Sequence, residues 1–329
     1  MPAYLRGIIF VLIILSGIAL PIWSNAFCEI SERLELAPNT PPLRPYPVVR
    51  LDDSTIEATV SAPKERKSPA VLVLQGSGCA SERNTLARLL LPWRKKYVFI
   101  YVEKPGITSS SVSCNSEFLS RNSIHQRLWD ILSVIQKLRT ESWWNNEIYV
   151  IGISEGGLIA GLTAAYVPEV KRVAILSYGG ALTMGEWWPD VAAAGIQKET
   201  GSISAAETER NDAITTFRRA RSNPSYSEVY DGESNTLAWW ASIIDVRLSN
   251  ALVQLSIPIL ICHGELDQFA PVKGARAVAH QFIKLGKNNL TYREYPGLDH
   301  GFVEKSGNSK LESVYLSSLT WLLGDATTP

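Results

Sequence analysis

A short apolar run leads directly into a glycine-flanked serine at residues 148–157, which read Ile-Tyr-Val-Ile-Gly-Ile-Ser-Glu-Gly-Gly. Residues 158–165 follow, and they are small and apolar enough to begin a helix. Strand, sharp turn and helix are the setting in which Gly-x-Ser-x-Gly exposes a reactive serine, because the glycines permit strained angles and close packing. The pattern predicts a nucleophile at Ser154. The alternative is an ordinary glycine-rich turn whose serine caps the helix.

Continuous apolar runs alternate with amphipathic helices along most of the chain. Such runs are typical of central strands covered on both faces, and their alternation with helices predicts an α/β fold with a mainly parallel sheet. Ligands bind beyond the carboxyl ends of the strands in such sheets. We expect strands at 48–51, 55–61, 70–74, 97–102, 148–151, 173–176, 257–262 and 290–295, and helices at 84–95, 124–138, 273–285 and 311–323.

The composition is that of an ordinary globular protein. Of the 329 residues, 46% are hydrophobic, and 32 basic side chains balance 32 acidic ones, so the net charge is zero. This balance gives no electrostatic reason to expect nucleic acid or acidic lipid as a partner. The chain has only 4 histidines and no Cys-x-x-Cys pair, so we expect neither a metal site nor another cofactor.

The N-terminus has the features of an export signal. Residues 1–7 carry one arginine and no acid, residues 8–20 are almost wholly apolar, and small residues precede a cleavage position after Ala26. We predict a signal peptide at 1–26 and a periplasmic or secreted protein that has no membrane contact after cleavage. The alternative is an uncleaved membrane anchor. Five prolines at 27–47 predict an extended arm.

The alternation of strands and helices stops at residues 181–250, called the helical insertion below. This segment has no continuous apolar run and includes a polar stretch of helical character, so we predict that it is mostly helical. It holds Trp187, Trp188, Trp239 and Trp240. These rings predict an apolar acyl or aryl pocket for a substrate, or alternatively the core of the insertion itself.

Two cysteines are placed so that they could form a disulfide, which export would permit. Cys79 and Cys114 both lie in loops that follow predicted strands, so we expect them at the same rim of the sheet and predict a bridge between them. Cys262 lies inside an apolar strand and is expected to be a buried free thiol.

Two further loops after predicted strands supply the partners that a nucleophilic serine needs. A histidine must take the serine proton, and an acid must hold the far side of that histidine. One turn carries Asp267, the predicted acid, with Glu265 as the alternative. The last loop carries His300, the predicted base, beside Asp299, a less suitable acid. The order Ser154, Asp267, His300 is the one expected on a hydrolase sheet.

Two backbone N–H groups are predicted to form an oxyanion hole, which stabilises the negative charge that develops during acyl transfer. One belongs to Glu155, because this residue directly follows Ser154 and begins a helix. The loop after the strand at 70–74 should supply the other. Ser77 is the predicted donor there, and Gly78 is the alternative.

Four motifs together resemble the serine-dependent α/β-hydrolase superfamily, in particular its dienelactone hydrolase and prolyl-oligopeptidase-like branches. Two positions depart from the usual pattern. Gln75 and Ile153 stand where many relatives have histidine, which weakens any assignment of substrate. The motifs are Gln-Gly-Ser-Gly at 75–78, Gly-Ile-Ser-Glu-Gly-Gly at 152–157, His-Gly-Glu-Leu-Asp at 263–267 and Asp-His-Gly-Phe at 299–302.

The resemblance implies an α/β-hydrolase core at 48–180 and 251–329. It implies that Ser154, Asp267 and His300 form a catalytic triad. Caps in this fold are inserted after the strand that follows the serine turn, so the helical insertion is expected to lie over the site.

These features predict a serine hydrolase that needs no cofactor. The first choice is a carboxylesterase that cleaves small or medium esters through an acyl-enzyme on Ser154. A prolyl-oligopeptidase-like peptidase or an acyltransferase would use the same residues, and both stay open. The non-enzyme alternative is a catalytically inactive binding protein on the same scaffold. The expected partner is a small ester or acyl compound, and the sequence does not determine the oligomeric state.

Overall fold

Eight strands form one central sheet in the computed structural model, which describes residues 43–61, 67–231 and 234–324. The strands of the described chain are β1 (Leu43–Pro45), β2 (Val48–Val49), β3 (Thr55–Ile56), β4 (Ala58–Ser61), β5 (Ser68–Leu74), β6 (Val98–Val102), β7 (Trp144–Ile153), β8 (Val170–Leu176), β9 (Val229–Asp231), β10 (Asn235–Thr236), β11 (Ile259–Gly264) and β12 (Leu290–Tyr295).

The order across the central sheet is β1-β4-β6-β5-β7-β8-β11-β12. From β6 to β12 every neighbouring pair is parallel, whereas β4 and β1 extend one edge in antiparallel pairing. The predicted mainly parallel sheet is therefore confirmed. Two short antiparallel ladders, β2 with β3 and β9 with β10, lie outside it.

Helices cover both faces of the sheet, and alternate residues of each central strand face different layers. In β5, Leu72 packs with residues of α3 and α4, whereas Val71 packs with residues of α1 and α10, and both side chains are fully buried. The helices are α1 (Arg83–Leu89), a 3₁₀ helix (Leu91–Lys95), α2 (Ser116–Arg121), α3 (Ile124–Leu138), α4 (Glu155–Tyr166), α5 (Met184–Thr200), α6 (Ile203–Ser222), α7 (Leu237–Ile243), α8 (Leu248–Leu252), α9 (Val272–Lys284) and α10 (Leu311–Leu323).

Several element boundaries differ from the sequence prediction, and two of these differences have a clear local reason. The helix expected at 84–95 ends at Leu89 and gives way to the 3₁₀ helix, because Pro92 has no N–H to donate and its ring clashes with the preceding turn. Strand β7 begins at Trp144, before the apolar run, because its polar first half pairs with the start of β5 at Ser68.

The predicted signal peptide at 1–26 lies outside the described residues, as does most of the predicted arm at 27–47. The described end of that arm forms β1, which pairs with β4 at the edge of the central sheet. Within the ranges that the structure describes, no helix is both long and apolar enough to cross a membrane.

The helical insertion contains α5, α6, α7 and the start of α8, together with the β9–β10 ladder. The ring of Trp240 is fully buried at its centre. Its centroid lies 4.8 Å from that of Trp239, 4.9 Å from that of Phe217 and 5.2 Å from that of Trp188. Aromatic rings at such separations stabilise one another in tilted and edge-to-face arrangements. The insertion therefore packs around aromatic rings, and these rings continue the hydrophobic core on one face of the central sheet.

Candidate active site

Ser154 lies on a tight turn between β7 and α4. Its backbone has φ 54° and ψ −124°, a conformation that non-glycine residues rarely adopt. A Cβ atom built on Gly152 would lie 2.0 Å from the carbonyl oxygen of Gly156, and one built on Gly156 would lie 2.3 Å from that of Leu74. Only glycine fits at both positions. The Ser154 N–H donates to the Leu176 carbonyl at 2.8 Å and fixes the turn to β8.

A continuous chain of hydrogen-bonding contacts runs from Ser154 to Asp267. His300 Nε2 lies 3.0 Å from Ser154 Oγ, and His300 Nδ1 lies 2.8 Å from Asp267 Oδ2. Asp267 Oδ1 accepts the N–H groups of Phe269 at 2.9 Å and Ala270 at 2.7 Å, which fixes the carboxylate. The structure thus brings together the three residues predicted from the sequence. In this arrangement the imidazole can take the serine proton while the carboxylate holds Nδ1–H.

The loop that carries His300 is held by a hydrogen bond from Ser177 and by hydrogen bonds within the loop itself. Ser177, whose backbone is strained at φ 52°, donates its hydroxyl to the His300 carbonyl at 2.7 Å. Asp299 Oδ1 accepts the N–H groups of Gly301 and Val303, each at 2.9 Å. Asp299 therefore binds its own loop, and the imidazole has its acid in the neighbouring turn.

His263 and Glu265, close to Asp267 in the chain, have different roles in the turn. His263 is fully buried, and its Nε2 lies 2.6 Å from the Ala270 carbonyl oxygen and 3.1 Å from Asp267 Oδ2. Glu265 is exposed, and its Oε2 accepts the Gly297 N–H at 2.9 Å. His263 therefore contacts the same carboxylate oxygen as the base, whereas Glu265 only joins the two loops.

The electrostatics of the site favour an ion pair between base and acid. Burial disfavours the charged imidazolium, but the charge and hydrogen bond of Asp267 outweigh it, so the pKa of His300 is raised. Burial also disfavours the carboxylate, but His300 and His263 outweigh it and hold the pKa of Asp267 well below its usual range. Asp267 is therefore ionised at neutral pH and can stabilise an imidazolium.

The two predicted oxyanion-hole donors have free N–H groups. The loop that carries one of them adjoins the nucleophile, since a Cβ built on Gly76 would lie 3.6 Å from Ser154 Cβ. The Gly76 N–H itself interacts with the Glu82 carboxylate. Among the residues that the structure describes, the backbone N–H groups of Ser77 and Glu155 donate to no protein acceptor. Both are therefore available for the predicted role.

A disulfide anchors the loop that carries Ser77. Cys79 and Cys114 are joined, with their Cα atoms 4.9 Å apart. Cys262 is buried with a free thiol. In the described part of the chain, no group of three or more histidine, cysteine, aspartate or glutamate side chains is arranged to hold a metal ion.

A buried cluster of charged side chains, which the sequence does not predict, lies behind the loop at 75–79, called the oxyanion loop below. Glu103 Oε2 accepts the side-chain amide of Gln75 at 2.7 Å. Arg127 donates to the Gln75 carbonyl at 2.8 Å and forms an ion pair with Glu155. Burial and the neighbouring charge of Arg127 lower the pKa of Lys104 to about 8. The loop is thus held by side chains that directly follow β6 and by Arg127 of α3.

The four tryptophans predicted to contact a substrate are mostly buried. Trp187, Trp239 and Trp240 expose 6%, 3% and 0% of their surface, whereas Trp188 is partly exposed. This burial fits the alternative interpretation, in which the rings form the core of the insertion. Trp239 Nε1 also donates to Glu155 Oε2 at 2.9 Å, so the insertion contacts the residue after the nucleophile. Contact of these rings with a substrate stays a prediction.

Comparison with known proteins identifies a family. A family model described as serine aminopeptidase, S33, matches residues 106–305, a segment that includes Ser154, Asp267 and His300. No curated protein matches the chain at a significant level.

Solved structures share the fold at low sequence identity. Est1E from Butyrivibrio proteoclasticus is 17% identical with a TM-score of 0.54, over 85% of this chain and 98% of Est1E. An acylaminoacyl peptidase from Pyrococcus horikoshii is 16% identical with a TM-score of 0.58, over 92% of this chain and 44% of the peptidase. An esterase from Pyrococcus furiosus is 12% identical with a TM-score of 0.53, over 86% and 89%. Because the family model covers well over half of the chain, the protein belongs to the serine aminopeptidase (S33) family of α/β-hydrolases.

Proposed function

We propose that the protein is a serine hydrolase that cleaves carboxylic esters of small or medium size through an acyl-enzyme on Ser154. The observation that carries the proposal is the chain of contacts from the Ser154 hydroxyl through His300 to Asp267, at 3.0 and 2.8 Å. The strained turn holds the hydroxyl against the imidazole, which is the arrangement that nucleophilic catalysis requires.

The reaction would proceed in two steps. His300 Nε2 takes the proton of Ser154 Oγ as the oxygen attacks the ester carbonyl, and the N–H groups of Ser77 and Glu155 bind the resulting oxyanion. The imidazolium then protonates the departing alcohol, and the acyl group remains on the serine. In the second step the imidazole activates a water molecule, which releases the carboxylic acid and restores the hydroxyl.

Aromatic side chains near the site support an apolar or aryl substrate. Phe269 is half-buried, and its ring lies 5.5 Å from that of His300, centroid to centroid. Trp188 offers a second partly exposed ring in the helical insertion. Est1E, one of the structural neighbours, has been solved with ferulic acid, an aromatic carboxylic acid. Aromatic rings beside the catalytic residues suit esters of such acids.

A peptidase is the second candidate, because the family description and one structural neighbour both name peptidases. An aminopeptidase needs a free carboxylate to bind the α-ammonium group of its substrate. Glu155 adjoins the nucleophile in the chain, but its two oxygens are bound by Arg127 and Trp239. Glu155 therefore offers no free carboxylate oxygen for the α-ammonium group of a peptide substrate.

The test compares esters and anilides that share one acyl group. We expect ethyl and p-nitrophenyl esters with acyl chains from acetyl to octanoyl to be hydrolysed. N-acyl anilides and anilides of free amino acids should have a kcat/KM at least about 100-fold below that of the esters. Product analysis with an added acceptor alcohol separates hydrolysis from acyl transfer. Hydrolysis of an aminoacyl anilide within about tenfold of the matching ester would contradict the esterase assignment.

Export of the protein is a further part of the proposal. The Cys79–Cys114 disulfide supports it, because such bonds persist in oxidising compartments outside the cytosol. N-terminal sequencing of the protein recovered from its native host is expected to start after Ala26. A mature chain that still begins at Met1 would favour the uncleaved anchor.

A further inference from the structure

Arg127 connects the two segments that carry the predicted oxyanion-hole donors. It lies on α3, exposes 5% of its side chain and forms an ion pair with Glu155 Oε1. Its Nη2 donates to the Gln75 carbonyl at 2.8 Å, and Nη1, the nitrogen that pairs with Glu155, also lies 3.5 Å from the Gly76 carbonyl oxygen. One guanidinium therefore contacts both the residue after the nucleophile and the loop opposite it.

The contacts with carbonyl oxygens determine where the N–H groups of the loop point. The Gly76 carbonyl and the Ser77 N–H belong to one peptide group, and in a trans peptide these two bonds point in opposite directions. Lys104, which is 3% exposed, also donates to the Gly76 carbonyl, at 3.1 Å. Because Lys104 and Arg127 hold this oxygen on the buried side, the Ser77 N–H is directed away from them.

Both carboxylate oxygens of Glu155 have a hydrogen-bond partner, and one of these partners is Arg127. Its Oε1 pairs with Arg127, and its Oε2 accepts the Trp239 Nε1–H at 2.9 Å. Glu155 begins α4, and its own N–H is the other predicted donor. The contacts of its side chain therefore restrain the backbone that carries this N–H group.

We propose that Arg127 is a positioning residue, which holds the N–H groups of Ser77 and Glu155 at the spacing that an oxyanion requires. The inference rests on the proposed function, because only a reaction with an oxyanion uses that spacing. The planar guanidinium suits the role, since its rigid fork of N–H donors binds a carboxylate and a carbonyl at once in fixed directions.

The chain offers a matched control for the loss of a buried ion pair. Arg50 and Asp130 form one at 2.7 Å, with 7% and 2% of their side chains exposed, and Asp130 lies on α3 like Arg127. The other partners of Arg50 are Ser54 and Thr55, in the hairpin that carries it. Arg50→Gln therefore leaves an unpaired buried carboxylate on the same helix without touching the oxyanion loop.

The test measures kcat and KM for p-nitrophenyl butyrate and the rate of Ser154 labelling by a fluorophosphonate, all in the full chain. Arg127→Gln is expected to lower kcat and the labelling rate about 10- to 100-fold, because a displaced donor weakens binding of the transition state. KM should change by less than about threefold, since the substrate itself carries no oxyanion. Arg50→Gln should lower the thermal unfolding midpoint but keep kcat within about threefold of wild type.

A double variant separates positioning from folding. Arg127→Leu combined with Glu155→Met removes both buried charges, so no unpaired charge is left, and this variant decides the matter if Arg127→Gln does not fold. Its kcat is expected to stay at least about tenfold below wild type. Recovery to within about threefold, or an equal loss of kcat in Arg50→Gln, would overturn the proposal. Failure of the wild-type protein to label would instead contradict the proposed function.

Discussion

The turn at Ser154 and the aromatic core of the helical insertion meet at Glu155, but each region is stabilised by a different kind of internal contact. In the turn, backbone lies against backbone, and a Cβ on Gly152 or Gly156 would fall within 2.3 Å of a carbonyl oxygen. In the insertion, rings lie against rings, with Trp240 surrounded by other aromatic side chains. Backbone contacts tolerate no change of residue, whereas packed rings can be exchanged for other apolar groups of similar volume.

This difference explains why the type of reaction is easier to predict from the sequence than the substrate is. The turn permits only glycine two residues before and two residues after the serine, so a short sequence motif specifies its geometry. The insertion requires only apolar side chains of suitable volume, and many different sequences provide them. The reaction type can therefore be inferred from local sequence, while the acyl group that is accepted depends on packing that has no motif.

The largest effect should follow from Asp267→Asn. Phe269 and Ala270 donate N–H groups to Oδ1 and fix the orientation of the side chain, so the new amide would present its NH₂ to His300 Nδ1. The imidazole would then adopt the wrong tautomer, and kcat should fall by about 10⁴-fold. Steady-state kinetics with a p-nitrophenyl ester measure this loss.

The matched control for Asp267→Asn lies in the helical insertion. Asp245 pairs with Arg221 at 2.7 Å on the surface, with 64% and 44% of their side chains exposed. Asp245→Asn should leave kcat within about twofold of wild type, because exposed ion pairs contribute little. A loss of kcat below about tenfold in Asp267→Asn would contradict the assigned acid.

A pair of glycine substitutions tests the difference between the two regions directly. Gly156→Ala places a methyl group against the Leu74 carbonyl and should lower the free energy of unfolding by about 4 kcal/mol or more. Gly201→Ala, at the end of α5 with φ 69° and open space around it, should cost only about 1 kcal/mol. Urea unfolding of both variants gives the values. Equal losses would show that the turn is less constrained than its geometry indicates.

Removal of the disulfide should have an intermediate effect on stability. Cys79 and Cys114 are 35 residues apart, and a disulfide typically stabilises a fold by about 2–4 kcal/mol. The double variant Cys79→Ala, Cys114→Ala should lose that amount in urea unfolding, and kcat should fall because the loop that carries Ser77 is no longer anchored. Treatment of the wild type with dithiothreitol should reproduce both changes. Unchanged unfolding and kcat would mean that the loop is held by the buried charges alone.

The smallest effect concerns pH. Because the pKa of His300 is raised, the imidazole stays protonated, and therefore inactive as a base, to a higher pH than an ordinary histidine. The kcat/KM profile should therefore rise with pH through an apparent pKa above about 6.5. In Asp267→Asn, the kcat/KM of any residual activity should rise at a lower pH than in the wild type. The negative charge that raises the pKa of His300 is absent from this variant. A limb below the ordinary histidine value in the wild type would contradict the coupling to Asp267.

The sequence predicts much of the fold because periodicity and apolar runs mark most elements. The bounds of α3, β12 and α10 agree with the prediction, since the residues that follow them, Arg139, Pro296 and Gly324, interrupt their patterns. Strand β7 is longer than predicted because its polar first half is defined by pairing with β5 and not by hydrophobicity. The triad loops are predictable for a related reason: each follows a strand whose end the pattern marks.

The buried charges around the oxyanion loop are harder to predict. Arg127 shares the apolar face of α3 with Ile124 and Ile131, and a charge at such a position signals a buried partner. That partner is Glu155, 28 residues away, and the sequence does not identify it. The contact of Trp239 with Glu155 spans 84 residues and has no local signal at all.

Covalent labelling tests most directly whether Ser154 is the nucleophile. The folded protein is incubated with a fluorophosphonate, and intact mass and peptide mapping locate the adduct, with Ser154→Ala as the control. Circular dichroism verifies that both proteins are folded. We predict one adduct per chain, on Ser154, and none in Ser154→Ala. An unlabelled wild-type protein, or equal labelling of the alanine variant, would contradict the account.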